Sequence, residues 1–458
     1  MGYSEKIEKG WICMEQKEKI LELLETRSFA ELKRLLHERN TTDLAYLLEE
    51  LPEEKVLPVF RLLTKEAAAE AFSEMDKDRQ ELLIGGFSDK ELREVLAEMY
   101  VDDTVDMIEE MPANVVSRIL RHSDPQTRQE INELLQYPED SAGSIMTTEY
   151  MSLKEDMTVK EAFERIRRIG ADKEDIYTCY VITETRKLIG LVTVRELLLS
   201  GGTERIGDLM ETNILYVNTL DDQELVAKQF DKYNFRTFPV VDQERRLVGI
   251  ITVDDAMDVL QDETTEDFEK MAAISPSEES YFKTPVWKHA KNRITWLLVL
   301  MLSSIVTGNV ITRYEAAFAS VPLLVAFIPM LMGTGGNCGS QTSTLVIRGL
   351  ALDEIRMRDF LRVIWKESRV ALSVGTILAL VNAARIYVMY RDEAMALVIG
   401  ITLIGTVLLS KLLGCMLPML AKRLKLDPAL MAAPLITTIV DTCSVLLYFN
   451  IALRVMKL

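Results

Sequence analysis

One carboxylate, Asp441, sits near the middle of an apolar stretch running from Ala429 to Phe449. No other acid falls inside a segment that reads as long enough to cross a bilayer. An ionised group at that depth costs roughly 2.5–3.5 kcal/mol on insertion scales, so it is kept where something uses it. The chemistry it offers is cation passage. The rival reading is a plain ion pair, with Lys411 of the preceding apolar run as partner. A second acidic feature lies upstream, where Asp254, Asp255, Asp258, Asp262, Glu263, Glu266, Asp267 and Glu269 crowd one short segment. On a helix, Asp254 with Asp258 and Asp258 with Asp262 repel by roughly a few tenths of a kcal/mol each, and a divalent cation relieves this. A solvated linker helix is the commoner meaning of such a run. Its place just ahead of the first membrane segment favours the cation.

The elements that position these acids follow from the apolar pattern. Five runs after Trp287 are long enough to cross: Ile294–Ile311, Ala316–Ile347, Val370–Tyr390, Ala394–Ala421 and Ala429–Phe449, each near or above the ~20 residues a helix needs. Basic residues cluster before the first, between the second and third, and between the fourth and fifth. That bias places these connections and the N-terminus in the cytosol and the C-terminus outside. The second run ends in GTGGNCGSQTSTLVIRG, residues 333–349. Four glycines there predict broken helix whose freed carbonyls, beside Asn337, Ser340 and Gln341, line water. Close helix packing through small residues is the alternative.

Charge divides the chain. From Trp287 onward there are 18 Lys and Arg against 9 Asp and Glu, while residues 1–286 carry 35 against 62. A strongly anionic soluble part repels nucleic acid and concentrates cations. Five scattered cysteines with no CxxC pair suggest neither a disulfide framework nor a zinc site. The start, MGYSEKIEKGW, has no apolar core of a secretory signal. Three histidines, no converging Ser/His/Asp or Cys/His set and no Walker A loop leave no case for an enzyme, and no soluble protein partner is indicated.

Two repeats organise the soluble part. Asp43-LAYLLEEL-Pro52 returns as Asp103-TVDMIEEM-Pro112, which predicts a small solenoid of short helices. Then SAGSIMTTEYMSLKEDMTVKEAFERIRR with IYTCYVITETRKLIGLVTVRELL is followed by IGDLMETNILYVNTLDDQELVAKQFDKY with FRTFPVVDQERRLVGIITVDDAMDVL. Met146 matches Met210, Gly190 matches Gly249 and Thr193 matches Thr252. This strand–helix–strand–strand–helix order with its Gly-x-x-Thr-x-x-acid ending resembles a tandem pair of CBS domains.

The whole arrangement resembles the MgtE family of magnesium transporters, most closely in GGNCGSQ and in DPALMAAPLITTIVD. The resemblance implies a multidomain chain: an all-α solenoid at 1–137, an α/β CBS pair at 138–203 and 204–262, a connecting acidic helix and linker at 263–286, and an all-α five-span pore domain at 287–458. It implies a homodimer in the cell (inner) membrane, with Asp441 meeting hydrated Mg2+ and Thr437, Thr438, Asn337 and Gly336 beside it. Regulatory Mg2+ would bind Asp103, Asp106, Asp222 and Glu224, and Asp254, Asp255, Asp258, Glu263, Glu266 and Asp267 of the connector. Tyr177, Arg195, Glu196 and Phe235 would contact ATP as a modulator. Asn234 stands where relatives can carry an acid, and Ser340 replaces an asparagine of the second-span motif. Two alternatives stay open: a CBS-regulated channel for Co2+ or Mn2+, and a membrane-tethered nucleotide sensor.

Overall fold

A computed structural model describes residues 17–277, 281–282, 284–314, 321–431 and 433–456. The first 16 residues with Cys13, the start of the expected second span and part of the linker lie outside them. The chain forms two compact units, Met1–Leu260 and Gln261–Leu458.

In the first unit, short helices run from Phe29 to Leu134. The repeated segments form α1 (Thr41–Glu49) and α2 (Val101–Glu110). Next-but-one helices pack in succession, Thr41–Glu49 on Lys65–Ser73, that on Asp89–Leu96, and that on Ala113–His122. This is the stacking of a solenoid. Its apolar faces meet in a core that includes Leu32, Leu44, Phe72, Leu83 and Leu92. Polar residues start many of these helices, for instance Ser88, whose hydroxyl accepts from the Glu91 N–H while Glu91 accepts from the Ser88 N–H.

The strand-rich repeat folds into two small sheets of the same design. β1 (Tyr150–Leu153) pairs parallel with β2 (Asp175–Ile182), which pairs antiparallel with β3 (Leu188–Thr193). β4 (Val217–Asn218), β5 (Thr237–Val241) and β6 (Leu247–Thr252) repeat that order. The matched glycines have a packing reason. A Cβ on Gly249 would lie 2.7 Å from Met146 Sδ, and one on Gly190 would collide with Met210. Each matched methionine therefore packs on a matched glycine. Thr193 and Thr252 end equivalent strands; Thr193 caps the helix that follows through a capping box with Glu196, and Thr252 donates its hydroxyl to Asp255 at 2.5 Å. The helix after Thr252 is α3 (Val253–Met271), so the acidic run is continuous helix despite its like charges.

Among its described residues the second unit has five helices long and apolar enough to cross a membrane. They are α4 (Val286–Arg313), α5 (Leu323–Ala351), α6 (Phe360–Tyr390), α7 (Glu393–Arg423) and α8 (Ala433–Met456). The expected glycine break is not there: α5 is helical throughout. Its glycines admit neighbours instead. A Cβ at Gly335 would lie 2.8 Å from Val440 Cγ1, at Gly336 2.8 Å from Thr437 Cγ2, and at Gly339 2.7 Å from Ile436 Cγ2. α8 thus lies directly against the glycine face of α5. Close packing without side chains offsets their low helix propensity. α6 also begins ten residues before the expected third span, which brings a second acid, Glu367, into a long apolar helix.

Candidate ion path and acid cluster

Asp441 lies in the first half of α8, half-buried, one helical turn beyond Thr437. Its Oδ1 is buried and has no hydrogen-bond partner among the described residues. Lys411 is engaged elsewhere: its Nζ donates to Thr342 Oγ1 at 3.0 Å and lies 3.5 Å from Glu367 Oε2. The alternative ion pair with Asp441 is therefore absent. Thr438 donates its hydroxyl back to Pro434 O at 2.9 Å, and Thr442, one turn on, shares a 2.6 Å hydrogen bond with Thr307 of α4. Gly336 is buried against Thr437, while Asn337 is exposed on α5. Gly336, Thr437 and Asp441 thus share one α5–α8 seam. A polar exposed Asn337 on an apolar helix is costly against lipid and suits a wet or protein-covered face.

In the first unit, carboxylate oxygens of Asp102, Glu174 and Asp255 lie within 4.8 Å of one another. They come from three elements: the start of α2, the residue before β2, and the first turn of α3. Asp102 is buried, and Asp102 Oδ1 and Glu174 Oε2 are both buried without a hydrogen-bond partner. Burial pushes the Glu174 carboxyl up to about 8, with Asp255 the next cause, opposed by a hydrogen bond from Thr147. Burial first and Asp255 second push Asp103 up to about 7. Burial likewise raises Glu149 to about 7, and raises Asp102 and Asp255. Burial opposes the charge on each of these groups, and the neighbouring carboxylates oppose it further. Oxygen-only donors with unsatisfied lone pairs are what a hard divalent cation requires. The residues present therefore fit Mg2+.

Asp103, Asp254 and Asp255 of the expected sensor set thus come together. Asp102, Glu174 and Glu149 join them, and sequence reasoning missed all three. Asp102 adjoins Asp103 in the chain, and only the rotation of α2 decides which of the two faces inward. Asp258 borders this cluster, acting on Asp255 and raised in turn by burial and by Asp254; the other expected acids are engaged or placed elsewhere. Asp106 is exposed on α2. Asp222 caps a helix by accepting from Leu225 N–H at 3.1 Å, and Glu224 pairs with Lys228. Asp258 is exposed one turn beyond Asp254, and Glu263 and Asp267 follow on α3. Glu266 pairs with Lys270 at 2.7 Å, which also reaches Asp427 at 2.8 Å.

The residues expected around a nucleotide gather at the opposite Thr-x-x-acid corner. Thr178 pairs with Thr193 in register, which sets Tyr177 beside the turn that carries Arg195 and Glu196. Arg236 lies over the Tyr177 ring at 5.1 Å, and the neighbouring Phe235 stacks on Tyr233 at 5.8 Å. Tyr177, Phe235 and Arg195 are exposed. Copy equivalence maps Glu196 onto Asp255, so the aromatic corner and the acid cluster stand at matching strand-to-helix corners of the two copies.

The family of divalent cation transporters called MgtE matches residues 328–451, its intracellular N domain matches residues 39–140, and CBS domains match 142–200 and 206–262. The magnesium transporter MgtE of Thermus thermophilus is 37% identical over 426 residues, 92% of this chain and 94% of that one. The chain belongs to the MgtE family. The magnesium transporter MgtE of Bacillus subtilis is 31% identical, covering 95% of this chain and 96% of its own. Among solved structures, the cytosolic domain of the Mg2+ channel MgtE in complex with ATP is similar, with a TM-score of 0.51 and 38% identity over 53% of this chain and 99% of that one. The soluble part of a magnesium transporter is similar too, with a TM-score of 0.51 and 29% identity over 55% of this chain and 99% of that one. Helical N domain, CBS pair and five apolar helices are the fold of this family in this chain.

Proposed function

We propose that this chain is a magnesium channel of the cell (inner) membrane, closed by cytosolic Mg2+. The observation that carries the reading is Asp441: a central intramembrane carboxylate with an unpartnered buried oxygen, left free because Lys411 is held by Glu367 and Thr342. Mg2+ sheds its water reluctantly, so a pore for it presents oxygens to a hydrated ion rather than a tight cage. A homodimer with two α8 helices at its axis supplies two Asp441 carboxylates, which balance one divalent charge. With the basic connections in the cytosol, the membrane potential drives entry by about 4.6 kcal/mol per 100 mV for a double charge. No ATP hydrolysis is required.

Closure follows from the acid cluster. At low cytosolic Mg2+, Asp102, Asp103, Glu174, Asp254 and Asp255 repel. Mg2+ binding offsets that repulsion and favours the docked arrangement, in which the cation's differential affinity supplies the work of the switch. Asp106, Asp222, Glu224, Asp258, Glu263, Glu266 and Asp267 serve as further regulatory acids across the dimer. ATP binds at Tyr177, Arg195, Glu196 and Phe235 and modulates the response, supported by the exposed aromatic pair and by the ATP complex of the similar cytosolic domain.

Uptake into proteoliposomes tests the reading. Wild type should admit Mg2+ ahead of Ca2+, Co2+ and Mn2+, and Asp441→Ala should not. Equal uptake by Asp441→Ala overturns the pore assignment, and preference for Co2+ or Mn2+ turns the reading to another divalent cation.

A further inference from the structure

The β2–β3 turn (Thr183 to Lys187) and the β5–β6 turn (Asp242 to Arg246) are one structure built twice. Arg186 and Arg245 hold the matching position, and both are left-handed, with φ of 63° and 62°. Glycine adopts that backbone freely, whereas any residue with a Cβ is strained there. The turns also exchange backbone hydrogen bonds: Leu188 N–H donates to Arg245 O at 3.1 Å, and Leu247 N–H to Arg186 O at 2.9 Å. Each arginine therefore stands between the tyrosine that begins its own copy and the hairpin of the other copy.

The two surroundings differ in charge. Arg186 Nη2 donates to Tyr150 OH at 3.0 Å and to Leu247 O at 3.2 Å, and the carboxylates of Glu133 and Asp242 act on it as well. In the other copy the place of Asp242 is taken by Thr183. Arg245 lies over the Tyr216 ring at 4.8 Å. Among the described residues, neither its side chain nor that of Lys187 has a hydrogen bond or ion pair. Between the hairpins is a cleft of about 400 Å³ whose lining includes Thr183, Lys187, Ile189, Ile214, Tyr216 and Arg245. Glu244, the carboxylate at this cleft, is engaged by Arg246.

We propose that this cleft is a binding site for the phosphate group of a small anionic ligand. The ligand takes the place that Asp242 and Glu133 fill around Arg186. Arginine and lysine together with the hydroxyl of Tyr216 offer more donors than a carboxylate has oxygens, which suits phosphate. The volume fits a small molecule. General charge does not account for the site, since residues 1–286 carry 62 acids against 35 bases. It is also separate from the nucleotide corner: Tyr177 lies near the start of β2, and Thr183 follows its end. Neither the pore reading nor the ATP reading is needed for it.

Calorimetric titration of the full chain in detergent with EDTA, using inorganic pyrophosphate and AMP as probes, tests this. Wild type should bind at least one of them. Arg245→Gly, which relieves the strained turn, should keep or raise Tm yet weaken binding by about tenfold or more, and Lys187→Ala should weaken it too. Tyr177→Ala should leave pyrophosphate binding unchanged. Loss of AMP binding in Arg245→Gly identifies a nucleotide phosphate, and loss for pyrophosphate alone identifies a free polyphosphate. Binding unaltered in both Arg245→Gly and Lys187→Ala, or no binding of either probe to wild type up to about 10 mM, overturns the site.

Discussion

Lys411 Nζ of α7 lies 3.5 Å from Glu367 Oε2 of α6, and both side chains are nearly buried, 8% and 14% exposed. Thr342 of α5 links them, accepting from Lys411 at 3.0 Å and donating to Glu367 at 3.1 Å. Three apolar helices are thus pinned by one neutral pair. Removing one partner strands a buried charge. Glu367→Gln or Lys411→Met should each cost about 3–5 kcal/mol, and the double substitution should recover most of that. Thermal unfolding of the four proteins in detergent checks it; equal losses in the singles and the double would mean that the pair is not coupled.

Asp441 is the one acid of α8, so its charge should set the rate of cation passage. Asp441→Asn keeps the shape and removes the charge, and should slow Mg2+ uptake by about tenfold or more, with Asp441→Glu intermediate. Uptake should be compared at matched protein incorporation into liposomes.

The acid cluster makes a prediction with a sign. Carboxylates in an unfolded chain titrate near 4, whereas Glu174 is held at about 8 and Asp103 and Glu149 at about 7. Between those values the native state holds more protons than the unfolded one. Without divalent cations, stability of the first unit should therefore be full below about pH 4 and fall as pH rises to about 8. Mg2+ replaces the protons, so its stabilising effect should grow over the same range, with proton release on binding. Asp102→Asn with Glu174→Gln should flatten both dependences. Melting at pH 6 and pH 8, in EDTA or in magnesium chloride, reads this directly.

The α5–α7 crossing tolerates no side chain at Gly414, where a Cβ would lie 2.5 Å from the backbone oxygen of Gly339. Backbone on both sides cannot move aside cheaply. Gly414→Ala should cost about 1–3 kcal/mol by overpacking, whereas Gly308→Ala, with nothing within 4 Å of its Cβ, should be neutral or stabilise by up to about 1 kcal/mol. Detergent melting curves distinguish the two.

Local signals carried much of this molecule. Five apolar runs, the Thr-x-x-acid corners and the twice-repeated strand pattern are short-range features; the paired sheets stand where they predict, and each apolar run lies in a long helix, α4 and α6 starting ahead of theirs. Contacts between distant segments were another matter. The glycines after Met332 read as a helix break because propensity counts only the local cost; packing by Val440, Thr437 and Ile436, about a hundred residues away, makes them helical. Lys411 found Glu367 rather than Asp441 because α6 starts earlier than its apolar run. Asp102 and Glu174 became partners of Asp255 only once the rotation of α2 and the docking of three elements had been decided. Sequence alone determined which segments are apolar and, the glycine stretch of α5 aside, which are helical or paired, since those depend on residues a few positions apart. The tertiary structure decided which charges are compensated and which are left bare, because a buried charge answers to whatever the fold brings within a few ångströms of it.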